Sequence, residues 1–229
     1  MKTEILRPAS TEDFARAAAL IRDGQLVAFP TETVYGLGAN GLDATACARI
    51  YEAKGRPSDN PLILHIADLS MLHEAAEDVP PAAAHLLTAF APGPITVIVP
   101  KAAHIPPLVT GGLSTVGVRC PAHDVARRLI HAAGVPIAAP SANISGRPSP
   151  TTATWAPSSW SLRDPPGPVT ALDGSPGTSV RLVTVRAHAP GSSLLLTGLP
   201  AGEDCFNGSG RSGPGVPTHP KMSWRRYSA

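Results

Sequence analysis

Nothing in this chain approaches the ~20 consecutive apolar residues that cross a bilayer, and Met1 to Thr11 carries Lys2, Glu4 and Arg7 where a signal peptide would be apolar. A soluble, cytoplasmic protein with no membrane partner is therefore expected. Cysteine is scarce: Cys47, Cys120 and Cys205 are far apart and form no CxxC pair. That excludes a zinc-finger ligand set and a disulfide framework, and it points to a reducing compartment. Aromatic residues make up only 4% of the chain, so the core must be built from Ala, Val, Leu and Ile. A dominant charge sign is missing too, and a net +2 is by itself no argument for a nucleic-acid partner. Walker A, GxSxG and HExxH motifs are absent, and no metal-ligand spacing is present.

What the sequence does contain is a core. A hydrophobic content of 43% over 229 residues suits one sizeable domain and not two large ones. Ser10-Thr11-Glu12-Asp13 reads as a capping box, with Phe14, Ala18 and Ile21 on one helical face and Gly24 at the stop. Leu26 to Phe29 is a short apolar strand ended by Pro30. Asp43 caps a second helix with Cys47, Ile50 and Tyr51 facing inward. Strands are expected at Leu62–Ile66, Ile95–Val99, Val116–Val118 and Ile137–Ala139, with helices at Ala82–Phe90 and His123–Ala133. Alternation of this kind makes an α/β domain with a twisted, parallel or mixed sheet.

Beyond Ala153 the composition changes. Residues 154–229 hold four acids, and Gly, Pro and Ser dominate. From about Pro200 there is too little apolar surface to offset the entropy of ordering, so a disordered basic tail is expected.

Several short motifs bear on chemistry. Gly36, Gly38 and Gly41 match GxGxxG, but Pro30 to Tyr35 separate them from the preceding strand, whereas a dinucleotide fingerprint begins where its strand ends. Lys54-Gly55-Arg56-Pro57 closes a helix. It reads either as punctuation that complements the helix dipole or as a pair of cations bracketing a polyphosphate. His65 lies within an apolar strand, which suits a core histidine or a group at the mouth of a site. Arg119 ends a buried strand, where it serves either a structural ion pair or a carboxylate or phosphate. Ser141, Asn143, Ser145 and Ser149 follow a strand and suit phosphate or ribose, or ordinary loop chemistry.

Taken in order, Phe29-Pro30-Thr31-Glu32-Thr33-Val34-Tyr35-Gly36-Leu37-Gly38, Tyr51-Glu52-Ala53-Lys54-Gly55-Arg56-Pro57, Asn60-Pro61-Leu62, Gly93-Pro94-Ile95-Thr96, Thr115 to Arg119 and Ala139 to Gly146 resemble the YrdC/Sua5 family of threonylcarbamoyl-AMP synthases. The resemblance runs over residues 10–153. It implies a YrdC-like twisted mixed sheet flanked by helices, with a concave basic cavity, in a domain of residues 1–190 followed by a tail of 191–229. It implies a nucleotidyltransferase that makes threonylcarbamoyl-AMP and pyrophosphate from L-threonine, bicarbonate and ATP for the t6A modification of tRNA. Carried over by position, Lys54 and Arg56 are the catalytic cations. They bind ATP together with Asn60, Thr115, Ala139, Ser141, Asn143 and Ser149, while Thr33, His65 and Arg119 bind threonine. Mg²⁺ is expected with ATP, and tRNA or the proteins that transfer the threonylcarbamoyl group are the expected partners.

The later motifs of the family are altered. Leu172-Asp173-Gly174-Ser175-Pro176 resembles its LDGG-type turn, and Thr184 stands near the place of its threonine-contacting strand without the usual acid and serine. No Leu-Arg-Pro-Gly follows. An inactive or RNA-binding homologue is the alternative that these changes leave open.

Overall fold

The computed structural model describes residues 4–6, 10–146, 148–151, 169–172, 183–186 and 195–197. The turn at Asp173-Gly174 and most of the expected 191–229 tail lie outside these described residues.

Among the described residues, ten strands form one mixed sheet. They are β1 (Glu4–Leu6), β2 (Leu26–Phe29), β3 (Gly36–Asn40), β4 (Ile63–His65), β5 (Ile95–Pro100), β6 (Thr115–Arg119), β7 (Ile137–Ala138), β8 (Val169–Leu172), β9 (Val183–Arg186) and β10 (Leu195–Thr197). Their spatial order is β1-β8-β2-β3-β7-β4-β6-β5-β9-β10. β8 lies parallel between β1 and β2, β4 runs parallel to β6, and β5 parallel to β9; the other neighbours are antiparallel. The α/β expectation with a mixed sheet flanked by helices is met. Among the described residues, no helix is long and apolar enough to cross a membrane.

The helices start and stop where local chemistry directs. In α1 (Thr11–Arg22) the Ser10 and Asp13 side chains each accept from the other's backbone N–H, completing the capping box. Asp43 accepts from Thr45 N at the start of α2 (Ala44–Lys54), and Gly55 ends it at φ +59°, a left-handed conformation that favours glycine. Proline opens both α3 (Pro81–Phe90) and the single turn α4 (Pro107–Thr110), where its missing N–H costs nothing. His123 Nδ1 accepts from Val125 N to cap α5 (Asp124–Ala133).

The sheet separates two apolar cores. Ala28, Leu37, Leu64, Val97, Val116, Val118 and Ala138 pack on one face with α2 and α3. Val27, Phe29, Ile137 and Ala139 face the other way, against Phe14, Ile21, Leu129 and Ile130 of α1 and α5. The period of two makes this division, since neighbouring strand residues point to opposite faces.

The first two glycines of the GxGxxG run, Gly36 and Gly38, lie in β3, and Gly41 follows it. A Cβ on Gly38 would come within 2.7 Å of both Phe29 Cε1 and Ile137 Cγ2, so the glycine makes room for the Phe29 ring. Gly38→Ala should therefore destabilise by about 1–3 kcal/mol through overpacking. Thermal denaturation should show a midpoint lower by several degrees, and an unchanged midpoint would contradict this account.

Candidate functional site

On the face that carries Phe29, α1 and α5 pack over the β2–β3–β7 side. Further along the same face, Ile63, Thr115 and Gly117 are only half-buried. The alternation that sends Leu64, Val116 and Val118 into one core turns Ile63, His65, Thr115, Gly117 and Arg119 onto this opposite face. The candidate residues form two groups, one at the end of α2, a helix that packs on the other face, and one around His65 and Arg119 on this face.

The first group surrounds the end of α2. Lys54 is 2% exposed, and its Nζ donates to the backbone carbonyls of Ser141 and Asn143. Its own carbonyl accepts from Ser145 N, so the helix end and the loop after β7 are joined by main chain and side chain together. Ser149 Oγ donates to Asn143 Oδ1 at 3.3 Å, and Ser141 Oγ reaches the same oxygen. Arg56 Nη2 donates to Pro61 O at 3.0 Å. The Asn60 carbonyl lies 3.0 Å from the Tyr51 hydroxyl, and Ala139 N donates to Ile63 O at 2.9 Å. Arg56, Thr115, Ser141, Asn143 and Ser149 all keep part of their surface in solvent. The structure thus gathers Lys54, Ser141, Asn143 and Ser149 into one bonded cluster, with Arg56 and Asn60 on the adjoining turn. The helix punctuation read in the sequence is present at Gly55, and the Arg56 charge acts on Lys54 beside it.

The second group centres on Arg119. His65 and Arg119 are partners in the parallel register of β4 and β6. Arg119 Nη2 donates to Thr33 Oγ1 at 3.2 Å, which brings in the segment after β2. Thr31 and Thr33 hydroxyls lie 2.9 Å apart, and Thr31 Oγ1 donates to Val34 O. From Thr115 to Arg119 is four residues of strand, or roughly 13 Å at about 3.3 Å per residue. The segment that carries Thr33 also ties the two groups together: Tyr35 N donates to Pro150 O, and Ala142 N to Tyr35 O.

Burial sets the charge states. Burial first, and then the neighbouring Arg56, push the Lys54 ammonium down to about 8. Burial, reinforced by Arg119, pushes His65 down to about 3, so His65 is a neutral imidazole. Its Nδ1 lies 3.2 Å from Ile63 O, and its ring meets Phe29 edge-on at 5.8 Å. His65 offers a hydrogen bond here, and no positive charge.

Two residues in this area escaped the sequence reading. Glu32 Oε1 lies 2.9 Å from Arg119 Nη2, which supplies the structural ion pair, while Thr33 bonds the same nitrogen. Thr96 is buried, and its Oγ1 has no partner among the described residues; its Cα is in register with Thr184 of β9. The strand around Thr184 is therefore part of the sheet, despite its altered sequence.

Comparison with known proteins bears on this arrangement. The family model Sua5/YciO/YrdC, described as "Telomere recombination", matches residues 19–163. The chain is 60% identical over 137 residues to the threonylcarbamoyl-AMP synthase of Pyrococcus abyssi (strain GE5 / Orsay), a match covering 60% of this chain and 40% of that protein. It is 56% identical over 147 residues to the threonylcarbamoyl-AMP synthase of Bacillus subtilis (strain 168), covering 63% of this chain and 42% of that one. The structure resembles the crystal structure of P. abyssi Sua5 complexed with L-threonine, with a TM-score of 0.74 and 45% identity over 82% of this chain and 54% of that chain. The chain thus spans about two-fifths of the length of these curated relatives.

Proposed function

The chain belongs to the Sua5/YciO/YrdC family, and from that membership we propose that it joins L-threonine, bicarbonate and ATP into threonylcarbamoyl-AMP with release of pyrophosphate. The observation that carries this reading is the pair of unlike polar groups, one around Lys54 and Ser141 and one around His65 and Arg119, bridged by the segment that carries Thr33. One is cationic and rich in hydroxyls, which suits a nucleotide's phosphates. The other pairs a buried guanidinium with a neutral imidazole and a hydroxyl, which suits an amino acid. The names of the P. abyssi and B. subtilis relatives support the same reaction, and they favour it over a non-catalytic RNA-binding role.

In this proposal Lys54 and Arg56 hold the ATP phosphates, with Ser141, Asn143 and Ser149 beside them and Asn60, Thr115 and Ala139 lining the nucleotide. Arg119 takes the threonine carboxylate, and Thr33 and His65 complete that end. The amine combines with bicarbonate to give a carbamate and water. A carbamate oxygen then attacks the α-phosphorus, and pyrophosphate leaves. Both reactants are anionic, so fixed cations must screen their repulsion and hold them in line, which requires no nucleophilic side chain. Mg²⁺ enters as the counter-ion of the triphosphate, since the side chains here fit phosphate oxygens better than a hard cation. Delivery of the product to tRNA through partner proteins, and a cytoplasmic location in keeping with the buried free thiols of Cys47 and Cys120, belong to the same proposal.

A pyrophosphate-release assay tests it. Release should require ATP, threonine and bicarbonate together. ATP turnover without threonine, or salt-sensitive tRNA binding with no turnover at all, would overturn the proposal.

A further inference from the structure

The residues assigned to threonine contain a cation for its carboxylate and no anion for its ammonium. Thr33 is neutral, and His65 is held neutral by burial. Glu32 supplies the missing charge. It lies between Thr31 and Thr33 in the segment after β2, and its side chain is 14% exposed. A carboxylate has lone pairs for about four hydrogen bonds, and burial normally requires most of them to be used. Here neither Glu32 oxygen accepts a well-aligned hydrogen bond among the described residues. Its one strong contact is the ion pair with Arg119, at 2.9 Å. An acidic side chain is thus held almost out of water with most of its acceptor capacity unspent, against the guanidinium expected to meet an amino acid's carboxylate.

We infer that Glu32 receives the α-ammonium group of the amino-acid substrate, so that Glu32 and Arg119 together read the zwitterion. The inference rests on the threonine site proposed above. Before substrate arrives, the pair neutralises itself. When the substrate carboxylate joins Arg119, Glu32 turns its free oxygens to the ammonium, and each buried charge gains a second partner. Selection for an α-amine over an α-hydroxyl then originates at Glu32, because a hydroxyl brings no charge to the carboxylate.

The experiment compares L-threonine with the analogue that carries a hydroxyl in place of its α-amine. Binding of both is measured calorimetrically to the full chain and to Glu32→Gln and Glu32→Asp. Full-chain protein should prefer threonine by roughly 10- to 150-fold, the range for one hydrogen bond to a charged group. In Glu32→Gln the preference should fall to within about threefold, through loss of threonine affinity alone. The hydroxyl analogue should bind as before or tighter, because Arg119 is released. Glu32→Asp, which keeps the charge on a shorter arm, should be intermediate; it carries the test if Glu32→Gln fails to show a cooperative melt. Retention of the full preference in these variants would mean that the amine is held elsewhere. Equal weakening of both ligands would mean that Glu32 only positions Arg119. Either result overturns the inference and leaves the proposed reaction standing. Failure of the full chain to bind either ligand would overturn the threonine site itself.

Discussion

Lys54→Met is expected to cut pyrophosphate release by about a hundred- to a thousandfold, the scale on which single electrostatic groups act in such sites. The reason is double. Lys54 is the proposed phosphate contact, and its Nζ also holds the Ser141 and Asn143 carbonyls in position. Losing it unties the loop that carries three other nucleotide-binding candidates. Lys54→Arg should restore little, because a planar fork cannot replace a compact ammonium seated between two carbonyls. The group also has a pH signature. Its folded value is depressed from 10.5 to about 8. Between about pH 8 and 10.5 the unfolded chain therefore holds more protons than the folded one, and stability from this group rises with pH across that window. Chemical denaturation of the Lys54→Met protein should lack that rise. A variant that keeps both the slope and the activity would place the chemistry elsewhere.

Arg119→Met should abolish measurable threonine binding and also weaken the fold. With Arg119 only 4% exposed, its removal leaves the Glu32 carboxylate buried without its counter-charge, a change that typically costs about 3–5 kcal/mol. If that stranded charge is the cause, Arg119→Met combined with Glu32→Gln should melt higher than Arg119→Met alone, although neither protein binds threonine. The comparison separates two roles that one substitution confounds. A single variant that melts with the parent protein would show that the pair contributes nothing to stability.

The features legible in the sequence were those whose causes are local. The Ser10–Asp13 capping box, the Asp43 cap, the Gly55 stop and the apolar strands of β2, β5 and β7 depend on residues a few positions apart, and they appear as expected. β3 was not legible, because Gly36 and Gly38 are poor strand formers chosen by the Phe29 ring beside them. Strands β8, β9 and β10 lie in a Gly-, Pro- and Ser-rich region whose composition hides them; β8 and β9 pair with β1, β2 and β5, which are distant in sequence. The candidate site follows the same rule. Ordered motifs pointed to Lys54, Arg119, Ser141 and Asn143. Nothing local could show that the Lys54 ammonium is held by loop carbonyls, or that Glu32 faces Arg119 across the site. Glu32 stood within a quoted motif, but a lone acid between two threonines carries no signal until its partner is placed.

The proposed reaction joins an amino acid, a one-carbon unit and a nucleotide. It is tested most directly by incubating the full chain with ATP, Mg²⁺, L-threonine and carbon-13-labelled bicarbonate, and identifying the product by mass spectrometry. The expected product is an adenylate that contains threonine and a single labelled carbon, formed in step with pyrophosphate. An adenylate without the label, or ATP hydrolysed with no threonine incorporated, would contradict it.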